Sequence, residues 1–103
     1  MSEQGFTDVE ITYIYFQIHG QYLSDLSSGL ANCKNLSSFT LNLEKNEING
    51  EDAQSLFNGL KTIANLSALT LYLDDNQIRS QTLQCFGQAF LNCPKLSTLK
   101  LSL

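Results

Sequence analysis

The sequence holds a single histidine and only six basic side chains against ten acidic ones, and no apolar run approaches the length of a membrane span. Each shortage excludes something. A net charge of −4 argues against nucleic acid and anionic membrane surfaces, both of which select basic faces. A spanning helix needs roughly 18 or more consecutive apolar residues, and no window supplies them. The first ten residues, MSEQGFTDVE, are polar and acidic, unlike a secretion signal, so the expected location is cytoplasmic. His19 has no indicated nucleophile or orienting group to make it a catalytic base, and no phosphate-cradling glycine loop follows a strand. The expectation is a protein that is not an enzyme and uses no cofactor and no metal. What is present is ordinary: 103 residues, 43% hydrophobic and 16% charged, suit one small globular domain over residues 1–103.

What stands out is internal similarity. LSSFTLNLEKNEI at 36–48 returns as LSALTLYLDDNQI at 66–78, and LSTLKLSL at 96–103 begins the phrase again. An offset of thirty aligns the chain without gaps, giving units at 6–35, 36–65 and 66–95 and a partial unit at 96–103. Phe6, Leu36, Leu66 and Leu96 share a column, as do Val9, Phe39, Leu69 and Leu99; Ile11, Leu41, Leu71 and Leu101; and Tyr13, Leu43, Leu73 and Leu103.

Each unit changes period partway through. Positions 69, 71 and 73 alternate apolar with polar, as a strand with one buried face does. Positions 83, 86, 90 and 93, like 53, 56, 60 and 63, follow helical spacing. This reading places strands near 8–14, 38–44, 68–74 and 98–103, and helices near 21–33, 51–64 and 81–93. Ser80 is the expected N-cap of the last helix, Pro94 its stop, and Asn49-Gly50 the loop before the middle one. Strands linked through helices must run parallel, and stacked copies bury faces that no single copy can.

The pattern LxxLxLxLxxNxI followed by a helix resembles a leucine-rich repeat of the ribonuclease-inhibitor type, over essentially the whole chain. Its wording is similar to long repeat arrays of protist genomes. The thirty-residue unit exceeds the usual length by an extra Leu-x-Leu step, which keeps every leucine in inward phase. The resemblance implies an α/β solenoid, a short right-handed horseshoe segment with about four parallel strands on the concave side and about three helices on the convex side. It also implies that Asn46 and Asn76 hold the structural asparagine position, bonding backbone groups of the turn leaving the strand. The first unit carries Phe16 there, and Tyr13, Tyr15 and Phe16 are expected to form a partial aromatic cap.

Several residue groups take a structural reading. Cys33 and Cys93 are expected in the core and Cys85 on the surface, too far apart for disulfides. The sequons at Asn35 and Asn65 fall in turns that suit asparagine. Gly29 and Gly59 are expected to let helices approach, and Phe57 to fill the space between them. Glu44, Glu47, Asp74 and Asp75 form a solvated acidic rim, its repulsion offset in part by Lys45.

The function expected is protein–protein interaction through outward strand residues: Glu10, Thr40, Thr70 and Lys100; Thr12, Asn42, Tyr72 and Ser102; and Ile14, Glu44 and Asp74. Tyr72 is the best anchor, offering large contact area at low entropic cost. The alternative is a structural subunit, or a segment of a longer array, that docks through its terminal strand edges as a homo-oligomer or larger assembly.

Overall fold

A computed structural model describes residues 8–14, 16, 18, 20–91, 93 and 95–103. Tyr15, His19 and Pro94, and with them parts of the aromatic cap and the helix stop, lie outside the described residues, as does Phe6. The chain is α/β, with a four-stranded parallel sheet and three helices. In chain order the elements are β1 (Asp8–Thr12), α1 (Gly20–Leu30), β2 (Ser38–Asn42), α2 (Gly50–Leu60), β3 (Ala68–Tyr72), α3 (Ser80–Leu91) and β4 (Thr98–Ser102).

The strands lie in sequence order, and each pairs in parallel with the strand thirty residues on, Glu10 with Thr40, Thr40 with Thr70, Thr70 with Lys100. The offset that aligns the sequence with itself is therefore the register of the sheet. Phe39, Leu41, Leu69 and Leu71, on one side, are fully buried. Over them lie Leu23, Leu30, Ala53, Leu56, Leu60, Phe86 and Phe90 from the helices, in one continuous apolar cluster. α1 packs against α2 and α2 against α3. The radius of gyration is 13.0 Å.

Helices and strands end sooner than periodicity predicts. The peptide N–H groups of Asn32 and Cys33 bond the carbonyls of Gly29 and Leu30, three residues back, and Thr62 and Ile63 do the same with Gly59 and Leu60. This tighter coiling closes each helix while its last stripe residue still reaches inward, so Ile63 remains buried outside α2. β2 and β3 stop at Asn42 and Tyr72 because the chain turns at Asn46 and Asn76. Lys45 and Asp75 adopt left-handed backbone there (φ 59° and 60°). Backbone rungs nonetheless continue beyond the strand ends, Leu43 N–H to Tyr72 O at 2.9 Å and Lys45 N–H to Asp74 O at 2.9 Å.

Helix starts are also sharper than a loop reading allows. Asn49 is the N-cap of α2, accepting from Asp52 N–H, while the Asp52 carboxylate accepts from Asn49 N–H. Gly50 is already helical. At α3 the expected cap shifts by one: Arg79 O accepts from Thr82 and Leu83, so Ser80 lies inside the first turn.

Interhelix packing departs from expectation in an informative way. A Cβ on Gly59 would collide with the Ser27 side chain and sit 2.9 Å from its Cα, so Gly59 does permit α1 and α2 to approach. Gly29 meets nothing within 4 Å and has no such role. Thirty residues along, the pair Ser27–Gly59 becomes Phe57–Ala89. Phe57 fills the gap as expected, edge-on to Phe86 at 4.8 Å and to Phe90 at 6.4 Å.

Leu83 and Leu99, expected in the core, are 38% and 45% exposed. Both lie on the last elements, where no further strand or helix covers them among the described residues. The three thiols do not separate as predicted: Cys33, Cys85 and Cys93 are all free and all half-buried. Cys93 falls short of burial because it sits at the margin of α3. Partial burial still pushes its thiol above the ordinary range, an effect reduced by the Lys61 charge. Cys85 is drawn in by Gln54, whose amide donates to its sulfur at 3.7 Å. No described helix is long and apolar enough to cross a membrane.

Candidate functional site

The sheet face turned away from the helices carries the predicted binding residues. Strand alternation puts every even-numbered strand position there, and the register lines them up across strands. Glu10, Thr40, Thr70 and Lys100 form one row; Thr12, Asn42, Tyr72 and Ser102 form the next. Ile14, Glu44 and Asp74 continue the pattern past the strand ends, where the backbone rungs persist. Glu10, Thr12 and Lys100, on the edge strands, are exposed, whereas Thr40, Asn42, Glu44, Thr70, Tyr72 and Asp74 are half-buried. A further row, Asp8, Ser38, Ala68 and Thr98, belongs to the same face and was missed. Its signal was available in the alternation, but the residues are small and carry no obvious chemistry.

Tyr72 is the one aromatic among the described residues of this face, bordered by Thr70, Asn42 and Ser102. The Lys100 ammonium sits 5.7 Å from its ring centroid, within cation–π range. The strand register explains the contact: Lys100 is opposite Thr70 and thus diagonal to Tyr72, within reach of a long side chain. Asn42 is partly committed elsewhere, since its Oδ1 accepts from Glu44 N–H at 3.1 Å. Asp74 Oδ1 is buried and accepts no hydrogen bond among the described residues. The described residues include no cluster of three or more potential metal ligands.

Behind this face, the two asparagines set the turns. Asn46 Oδ1 accepts from Phe16 N–H at 3.0 Å and Ile18 N–H at 2.9 Å, while its Nδ2 donates to Tyr13 O, Leu43 O and Glu44 O. Asn76 accepts from Ile48 N–H and donates to Leu43 O, Leu73 O and Asp74 O. These amides serve their own turn, as expected, and also the turn thirty residues earlier. The first turn is held the same way although it carries Phe16, a 63% exposed ring edge-on to Tyr13 at 5.4 Å. Tyr13 also meets Tyr22 at 5.8 Å. Burial, with the neighbouring Tyr13 phenol adding to it, raises the Tyr22 pKa.

Two ladders went unread in the sequence. Ser67 Oγ donates to Ser37 O at 3.0 Å and Ser97 Oγ to Ser67 O at 3.3 Å. Asn65 Nδ2 donates to Lys34 O at 2.8 Å, and Lys95 Nζ donates to Asn65 Oδ1 at 2.7 Å. The recurring Leu-Ser at 36–37, 66–67 and 96–97 could have exposed the first. The second explains Asn65 as a turn bracket whose amide is already bonded.

Two recesses among the described residues lie elsewhere. One of about 220 Å³ opens between α2 and α3, lined by Phe57, Lys61, Cys85 and Gln88 among others. Another of about 320 Å³ lies at the N-terminal ends of these helices, beside Gly50, Arg79 and Thr82. No residue of the sheet face lines either. No family model matches the chain, and no curated protein matches it at a significant level.

Proposed function

We propose that the chain is a leucine-rich-repeat-type solenoid segment, cytoplasmic, and that it acts by binding a protein rather than by catalysis. The reading rests on the open sheet face, three rows deep and in register, where a single aromatic anchor stands among small polar side chains on a rigid parallel ladder. Such a surface suits recognition of a macromolecule better than enclosure of a small ligand. The hydrogen-bonded amides at Asn46 (buried) and Asn76 (half-buried), and the thirty-residue register, are what the leucine-rich-repeat resemblance leads one to look for. Affinity capture with this chain tests the binding reading. Thr70→Arg, which plants a bulky charge mid-face, should abolish recovery of specific partners, whereas Gln84→Arg on the exposed side of α3 should not. The opposite pattern would move the interface to the helices.

A second reading rests on β4. It is an edge strand; Leu99 on it and Leu103 just past its end are 45% and 49% exposed. An exposed apolar edge recruits further strands, so the chain docks by its terminal strands in a homo-oligomer, a larger assembly or a longer array. Sedimentation at micromolar concentration decides between a self-associating chain and a monomer. Leu101→Lys with Ser102→Pro should abolish any association that uses this edge.

A further inference from the structure

Among the described residues, negative charge is concentrated on one side. Asp8, Glu10, Glu44 and Asp74 lie on the sheet face, and Glu47 and Asp75 on the turns at its rim, making six of the ten carboxylates. Only Lys45 and Lys100 of the six basic side chains share that region; among the described residues elsewhere, three carboxylates (Asp25, Glu51, Asp52) face four basic side chains. The face and its rim thus carry a net −4 among the described residues, and the rest of the described chain is slightly positive. Within it, the one cation on the strands is folded onto the one aromatic ring, Lys100 Nζ lying 5.7 Å from the Tyr72 centroid. A buried acceptor, Asp74 Oδ1, stands two residues from that ring without a donor among the described residues.

We infer that the partner presents a cationic segment, with an arginine or lysine seated over Tyr72, and that Lys100 occupies this seat in the free protein as a built-in competitor. The inference rests on the sheet-face reading and specifies its partner. The Tyr72 ring attracts a cation by its quadrupole, and the surrounding carboxylates favour any positive group that arrives. Arginine suits the seat best, since a planar guanidinium stacks on the ring while its fork donates to a carboxylate such as Asp74. Lys100 is exposed and long, so it can leave the ring without disturbing the core.

The test uses fluorescence anisotropy with two labelled probes, Arg-Gly-Arg-Gly-Arg and Glu-Gly-Glu-Gly-Glu, at low and high salt. The arginine peptide should bind in preference, and more weakly at high salt. Lys100→Ala should tighten its binding roughly two- to fivefold, and Tyr72→Leu should weaken it by a similar factor. The decisive quantity is the coupling: in a Tyr72→Leu background the gain from Lys100→Ala should shrink, and in a Tyr72→Phe background it should persist. An equal gain in all backgrounds would reduce Lys100 to a simple repulsive charge and overturn the competitor role. Preference for the glutamate peptide, or binding of neither, would overturn the cationic partner. The sheet-face reading would then still stand or fall by capture with Thr70→Arg, which uses neither peptide.

Discussion

Leu69 and Leu99 occupy the same place in adjacent strands, with the same residue and the same parity, yet Leu69 is fully buried and Leu99 is 45% exposed. Nothing within β4 explains the difference. Leu69 is flanked by Phe39 on one side and Leu99 on the other, beneath a helix layer. Leu99 has a strand on one side only. In this architecture burial is conferred by neighbours, so equal sequence does not mean equal energy.

The largest expected effect tests that contrast directly. Leu69→Ala should cost about 3–5 kcal/mol, the range for a fully enclosed leucine that leaves a cavity. Leu99→Ala should cost less than about 1 kcal/mol, since little area is removed from water. Urea denaturation of the two variants measures both; equal losses would mean that β4 is covered in solution. Next comes a contrast between amides. Asn46→Ala removes a buried side chain that satisfies five backbone groups and should cost about 2–3 kcal/mol. Asn42→Ala loses only the bond from Glu44 N–H and should cost about 1 kcal/mol or less.

A smaller pair of opposite sign concerns the helices. Gly59→Ala forces α1 and α2 apart at Ser27 and should destabilise by about 1–3 kcal/mol. Gly29→Ala meets open space in the last turn of α1 and should stabilise by about 0.5 kcal/mol. Thermal melts of both would expose any error in the packing of α1 on α2. The smallest effect is alkaline. Tyr22 has a raised pKa in the folded state, so its stabilising contribution is complete below the ordinary phenol pKa near 10 and is lost as pH rises through the higher folded value. Subtracting the tyrosinate absorbance titration of Tyr22→Phe from that of the unmodified chain should isolate a phenol ionising later than a free one.

How far the sequence could be read follows from the same contrast. The element order, the parallel register and the sheet-face rows were legible because a period of two and a period of three to four survive in every unit. The asparagine turns were legible as positions, but not their reach into the preceding turn, which requires the units to be superposed in space. The exposure of Leu83 and Leu99 was not legible, because column membership records what a residue is and not what lies beside it. The half-burial of all three thiols escaped for a related reason: Cys93 is at the margin of the last helix, and Cys85 gains cover from Gln54 on another helix. The Lys100–Tyr72 contact was hidden because it is diagonal, joining two rows that the alignment keeps separate.

The asparagine amides give the molecule a direction. Each reaches backward: Asn76 holds Ile48 N–H and Leu43 O, and Asn46 holds Ile18 N–H and Tyr13 O. Local opening of the turn at Asn76 therefore strips protection from amides near Ile48, while opening near β1 leaves the bonds of Asn76 in place. Hydrogen exchange should show this as a one-way dependence. The Ile48 amide would exchange no more slowly than the opening of the Asn76 turn permits, and fraying that starts at β4 would travel toward β1 more readily than the reverse. A ladder whose backbone rungs are symmetrical would thus unzip preferentially from one end.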